Sequence, residues 1–168
     1  MVIDALEFAE ACRVLEGTRA VGEFARLCQG LATSQDAEVR WRLAGRRDAG
    51  SGQLWLDVHA EAQVNVVCQR CLRPFSLPLR VENTVGLVRT QAQLDAMDAL
   101  EAEGEGPDVE YLVAERQMDV LALIEDELIL VLPYAPRHEA CPESDGRPAP
   151  RQPAEASPFA VLERLRKH

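Results

Sequence analysis

Apolar residues in the first third of the chain change from a helical to an alternating spacing. Residues 4–15 place apolar side chains at helical intervals, and Gly17 is expected to end this helix. Residues 18–31 repeat the helical spacing behind a threonine that can cap a second helix. The spacing therefore predicts two short amphipathic helices, with Cys12 and Cys28 as small buried side chains on their apolar faces.

Three segments of alternating polarity follow the predicted helices. The first covers residues 39–43. The second and clearest covers residues 54–66, where seven apolar residues share one face and polar residues occupy the other. The third runs from about Leu77 to Val88. Because the connections between them are short, these strands predict an antiparallel meander with one face in water.

The spacing becomes helical again in the second half of the chain. Residues 92–101 are expected to form a weak helix within an acidic loop at about 91–107, and residues 108–113 a short strand. Asp119 is expected to cap one long helix with apolar residues three and four positions apart. Pro133 should end this helix.

These elements predict an α+β fold. An antiparallel meander of three to five strands would pack with the N-terminal helices and the one long helix. We assign residues 1–141 to a single domain, which suits a chain of 168 residues. Residues 142–156 contain four prolines and are expected to form a linker. Ser157 then caps a predicted short C-terminal helix over residues 157–168.

The net charge of −10, from 28 acidic and 18 basic residues, argues against a simple nucleic-acid binder. The excess lies almost entirely in residues 91–132, which hold 12 acidic residues and one basic residue. Residues 37–90, which include the predicted meander, carry a net charge of +3. The charge therefore disfavours bulk electrostatic binding of RNA, but it leaves open a local RNA contact or a basic protein partner.

The N-terminal residues indicate a cytoplasmic protein. Residues 1–11 contain three acidic side chains where a signal peptide needs a basic start and an apolar core. The longest apolar run, Leu128 to Leu132, is far shorter than the roughly 20 residues of a membrane span. Five cysteines, an odd number, argue against a disulfide framework in this setting.

Cys68 and Cys71 form a C-x2-C pair at the predicted turn between the second and third strands. Two thiolates at this spacing can bind one metal ion, and His138 and Cys141 offer a second pair for a structural zinc site. A thioredoxin-like redox pair is disfavoured, because it would begin a helix and these flanks are strands. With 66 residues between the pairs, two reduced thiols packed in a turn remain the simpler alternative to zinc.

No catalytic residue is predicted, so we do not expect an enzyme. His59 lies on the polar face of a strand, and no serine or cysteine partner is suggested by its spacing. The chain has neither a G-x-S-x-G motif nor a glycine-rich phosphate loop. Glu125, Asp126 and Glu127 would point about 100° apart on a helix, so they are expected to form a solvated polar face rather than an ion site.

Arginines on the meander are candidates for contact with RNA or a protein partner. Arg40 and Arg42 share a strand face, and Arg70 and Arg73 flank the cysteines. Trp55 lies on the polar face of the neighbouring strand, where it could stack on a base or cover the sheet. Ordinary solvated arginines are the alternative interpretation.

Three ordered segments form a combination that is more specific than any one of them alone. They are VCQRCLRPF at residues 67–75, DVLALIEDELIL at 119–130 followed by Leu132-Pro133, His138 and Cys141, and SPFAVL at 157–162. In this combination the chain resembles the bacterial YceD family, the large ribosomal RNA subunit accumulation protein. Cys68 and Cys71 match the family's motif, and the family provides no catalytic residue to carry over.

The resemblance implies a role in the synthesis, processing or stability of 23S ribosomal RNA, and so in large-subunit assembly. We therefore expect a non-enzymatic ribosome-biogenesis factor. Its expected partners are the 23S rRNA precursor, a basic large-subunit ribosomal protein, or both, with no membrane involved. The alternative is a structural or regulatory module in which Cys68, Cys71, His138 and Cys141 bind one zinc ion.

Overall fold

The computed structural model describes residues 1–32, 36–102 and 109–141. Residues 1–138 form one compact unit, to which every element below belongs. In chain order the elements are β1 (Val2–Ile3), α1 (Ala5–Glu10), β2 (Val14–Ala20), a 3-10 turn (Val21–Glu23), α2 (Ala25–Cys28), β3 (Glu38–Arg47), β4 (Leu54–Val67), β5 (Pro74–Val88), α3 (Gln91–Ala102), β6 (Tyr111–Val113), β7 (Met118–Asp119) and α4 (Val120–Val131). The predicted α+β class is confirmed.

The main sheet has five strands in the order β2-β3-β4-β5-β6. Strands β2 to β5 are antiparallel neighbours, which confirms the predicted meander, and β6 pairs with β5 in parallel. Along β4 the side chains alternate between buried and more exposed, with Leu56, Val58 and Val64 fully buried. The sheet therefore has one face in the core, as the period of two predicted.

The prediction for the N-terminal segment was wrong in one element. Residues 14–20 form the edge strand β2 instead of continuing from one helix into another. Gly17 does not end a helix; it pairs with Trp41 across β2 and β3. A Cβ atom at residue 17 would lie 2.9 Å from the Trp41 ring, so the glycine allows the close approach of ring and strand. This segment is too short for the spacing of its apolar residues to distinguish a helix from a strand. Pairing with β3 selects the strand.

Helices α1 and α4 supply much of the apolar cover over the buried sheet face. Phe8 of α1 and Ile124 and Leu128 of α4 are at most 1% exposed. Asp119 caps α4, as predicted, by accepting a hydrogen bond from the backbone N–H of Leu121 at 3.0 Å. The described helices include none that is long and apolar enough to cross a membrane.

The acidic residues of α4 do not form the solvated face that was predicted. Glu125 and Glu127 are buried, and only Asp126 is exposed. Glu127 accepts hydrogen bonds from the side-chain amide of Asn83 at 3.0 and 3.1 Å. Burial raises the pKa of Glu127, and the donation from Asn83 opposes this rise. Polar partners on other elements, which helical spacing does not reveal, let these carboxylates face inward.

Three other predictions concern the acidic segment, the N-terminal cysteines and the C-terminal residues. Helix α3 confirms the helix expected near residues 92–101, and residues 103–108 of the acidic loop lie outside the described part of the chain. Cys28 is half-buried, but Cys12 is exposed, so its expected burial was wrong. The predicted linker and C-terminal helix, at 142–156 and 157–168, also lie outside the described residues and remain predictions.

Candidate metal centre

The C-x2-C pair lies in the turn that joins β4 to β5. The backbone N–H of Cys68 donates to the carbonyl of Arg73 at 3.0 Å, and the N–H of Leu72 donates to the carbonyl of Cys68 at 2.9 Å. The N–H of Arg70 donates to the Cys68 sulfur at 3.5 Å. These bonds curl the turn around the Cys68 sulfur and bring Cys71 to the same side. Neither cysteine begins a helix, so the setting differs from that of a thioredoxin-like pair.

Residues 133–138, which follow α4, lie against this turn. The N–H of Gln69 donates to the carbonyl of Pro136 at 2.9 Å, and the Arg70 guanidinium donates to the carbonyl of His138 at 3.4 Å. The imidazole of His138 lies against the ring of Phe75, with 4.4 Å between ring centroids. Its Nδ1 atom is 3.4 Å from the sulfur of Cys71. The fold therefore brings together residues that are far apart in the sequence.

Cys68, Cys71 and His138 offer potential ligand atoms that all lie within 4.8 Å of one another. Cys141, the fourth ligand that the sequence predicted, is half-buried. Tetrahedral zinc with thiolate ligands at 2.3 Å places its sulfurs about 3.8 Å apart. A small contraction of this group would therefore give the distances of a structural site. Within the described residues, no other group of three or more histidine, cysteine or acidic side chains meets the same distance requirement.

The surroundings of Cys68 favour the thiolate form of its side chain. Burial raises the pKa of this thiol, but backbone N–H groups of Cys71, His138 and Arg70 donate to the sulfur and lower it. The His138 side chain lowers it further, and the resulting pKa is about 5. The thiolate is the species that binds metal ions. The turn thus prepares Cys68 to act as a ligand at neutral pH.

Leu72 holds the left-handed end of this turn, with a φ angle of 59°. This conformation costs a residue with a Cβ atom about 1–2 kcal/mol. Because the side chain is 74% exposed, Leu72→Gly should lose little burial. After allowing for the greater freedom of glycine in the unfolded chain, we expect the free energy of unfolding in urea to rise by about 1 kcal/mol. Leu72→Ala keeps the Cβ and is the control; an equal gain in both variants would contradict this explanation.

The predicted RNA or partner contacts fall in two separate places. Arg40 and Arg42 are exposed on the polar face of β3, opposite Glu61 and His59 of β4. Arg70 and Arg73 are exposed in the β4–β5 turn. Since Cys68 follows Glu61 by seven residues along β4, about 23 Å of strand separates this turn from Arg40. The four arginines therefore do not form one continuous patch.

Trp55 is not an open stacking platform. The ring is half-buried between the Arg46 guanidinium, 5.5 Å from its centroid, and the ring of Tyr111 at 5.9 Å. Tyr134 and Arg137 were not predicted as contacts; both are exposed, and Pro136 between them accepts a hydrogen bond from Gln69 of the cysteine turn. Their position just before the H-x2-C pair was the one available signal.

The fold and this cluster define a small α+β protein whose β-meander carries a cysteine–histidine group at one end. A scan against protein families matches residues 56–166 to the family described as "Large ribosomal RNA subunit accumulation protein YceD". The match covers more than half of the chain, so the chain belongs to the YceD family. The resemblance seen in the sequence is thereby confirmed. No solved structure matches the chain.

Proposed function

We propose that this YceD-family chain is a non-enzymatic, cytoplasmic ribosome-biogenesis factor. It supports the synthesis, processing or stability of 23S rRNA during large-subunit assembly. The observation that carries this proposal is the family match over residues 56–166, whose description names large-subunit ribosomal RNA. Cys68 and Cys71 lie in a turn between two strands and do not begin a helix, which supports a structural or binding role over a redox one.

Its proposed partners are the 23S rRNA precursor, a basic large-subunit ribosomal protein, or both. Residues 91–132 carry a net charge of −11, and the acidic side chains of this segment other than the buried Glu125 and Glu127 complement a basic protein. The exposed arginines of the β4–β5 turn complement RNA phosphates. These opposite charges lie on different parts of the sequence, so one chain can contact both kinds of partner.

Deletion of the gene from its source cells tests this function. We expect the ratio of 23S to 16S rRNA to fall and plasmid-borne wild-type protein to restore it. An unchanged ratio in the deletion strain would overturn the proposal. Incubation of the purified protein with 23S rRNA tests the non-enzymatic part, because cleavage that increases with protein purity would contradict it.

A structural zinc site is a second proposed function of the cysteine–histidine group. The supporting observation is the donor set, in which two thiols of one turn and the imidazole of His138 lie within 4.8 Å of one another. Cys141 is the fourth proposed ligand because of its H-x2-C spacing from His138. Bound zinc would supply a fixed tetrahedral link at this point. Cys68 and Cys71 would then be tied to His138 and Cys141, so the β4–β5 turn would hold the chain that follows α4.

Metal analysis of the purified full-length protein tests the zinc proposal. We expect about one zinc per chain in the wild type and less than a tenth of that in Cys68→Ser, which loses a thiolate ligand. Cys12→Ser is the matched control, because Cys12 is exposed and outside the group. Folded wild-type protein that stays metal-free after incubation with zinc would refute the site.

A further inference from the structure

The end of the meander that carries the cysteines has a charge opposite to that of the whole chain. Residues 68–73 and 133–138 together contain three arginines, Arg70, Arg73 and Arg137, and no acidic residue. Hydrogen bonds from Gln69 and Arg70 join the two segments. A local charge of about +3 is therefore concentrated on a protein whose net charge is −10.

Arg73 and Arg137 differ from the arginines of the sheet face in their electrostatic partners. Arg40 and Arg80 each lie within 4.0 Å of Glu61, and Arg46 lies 3.3 Å from Asp57. In the part of the chain that the structure describes, no carboxylate lies within ion-pair distance of Arg73 or Arg137. Among the described residues, then, no carboxylate offsets the positive charge of these two side chains, whereas carboxylates offset much of the charge on the sheet face.

Tyr134 adds an aromatic ring to the same place. The residue is completely exposed, unlike Trp55 in its contacts with Arg46 and Tyr111. Because it precedes Arg137 by three residues, the two Cα atoms are at most about 11 Å apart. An uncovered aromatic ring beside arginines is the combination on which unpaired bases stack while their phosphates are neutralised.

We propose that Arg70, Arg73, Tyr134 and Arg137 form a binding surface for single-stranded RNA, here termed the arginine–tyrosine surface. The inference rests on the proposed function and specifies the part of the molecule that touches RNA. An acidic protein segment would satisfy the arginines, but it would gain little from a fully exposed tyrosine ring. A base gains the whole ring face, so the aromatic residue favours RNA over an acidic protein.

Fluorescence anisotropy with the full-length protein tests the surface, using a labelled single-stranded oligouridine as probe. Tyr134→Ala should weaken binding about tenfold, while Tyr134→Phe, which keeps the ring, should bind like the wild type. The double variant Arg73→Ala/Arg137→Ala should weaken binding and reduce the slope of log affinity against log salt by about 1.4. The thermal midpoint of each variant should stay close to that of the wild type, because these side chains are exposed.

A double variant of Arg40→Ala/Arg42→Ala is the matched control, since it removes the same charge from the sheet face. We expect its affinity to remain within about twofold of the wild type. The inference is overturned if this control loses as much affinity as Arg73→Ala/Arg137→Ala, or if Tyr134→Ala has no effect. It is also overturned if the wild type does not bind the RNA but binds a glutamate-rich peptide through the same residues.

Failure of this inference can be told apart from failure of the proposed function. If gene deletion lowers the ratio of 23S to 16S rRNA but the four side chains do not affect RNA binding, only the arginine–tyrosine surface is wrong. If deletion leaves the ratio unchanged, the proposed function is wrong whatever the purified protein binds. If a gene that carries Tyr134→Ala fails to restore the ratio in the deletion strain, the arginine–tyrosine surface is required for the proposed function.

Discussion

Glu125→Ala should lower the free energy of unfolding by about 3 kcal/mol. Glu125 accepts hydrogen bonds from the backbone N–H groups of Arg26 and Leu27 at 2.7 and 3.1 Å. It also accepts one from Nε of Arg26 at 3.0 Å. Each N–H left buried without a partner costs about 1–3 kcal/mol, and Leu27 is only 1% exposed. Because α2 has four residues, it depends on this carboxylate to satisfy its first N–H groups.

Asp126→Ala provides a matched control for this substitution. Asp126 forms an ion pair with the same arginine, but the aspartate side chain is 54% exposed. An exposed pair contributes about 0–1 kcal/mol, so this variant should unfold in urea close to the wild type. The difference between the two variants in the free energy of unfolding measures the contribution of the buried hydrogen bonds apart from that of an ion pair with Arg26. Equal losses of stability would mean that Glu125 does not cap α2.

Long periodic segments were the part of the fold that the sequence predicted well. Strand β4 keeps a period of two from Leu54 to Val67, and α4 combines an aspartate cap with a terminal proline. Strand β2 was missed because seven residues fit either pattern, and pairing with β3 selects the strand. Burial of Glu125 was missed for a related reason, since its partner Arg26 is 99 residues away in the sequence.

The candidate site, too, could be predicted from the sequence only in part. The C-x2-C spacing was enough to place Cys68 and Cys71 in one turn, because the strands on both sides define the hairpin. Whether His138 comes near them depends on the path of the chain after α4, and no local pattern fixes that path. Three-dimensional contacts, above all Gln69 with Pro136, bring the second segment to the turn. The exposed Tyr134 and Arg137 become candidates only once this contact is known.

Removal of zinc should lower the thermal midpoint of the wild-type protein by about 10 °C. The expectation follows from the proposed site, because a ligand at 1,000 times its dissociation constant stabilises the native state by about 4 kcal/mol. For a chain of this length, each kcal/mol shifts the midpoint by about 2–4 °C. Differential scanning calorimetry with and without a chelator measures the change. Cys68→Ser should already unfold at the lower temperature and should not respond to the chelator.

The loss should also be local, which hydrogen exchange can detect. The amide of Gln69 is bonded to Pro136 across the two segments, and that of Leu72 closes the cysteine turn. Both should exchange faster when zinc is removed, because the metal no longer holds the segments together. The amide of Val58, a buried residue within the five-stranded sheet, should keep its protection at temperatures below the lower midpoint. Equal acceleration of exchange at all three amides would instead mean that the metal stabilises the whole core. Unchanged exchange at Gln69 would mean that zinc does not hold the turn against residues 133–138.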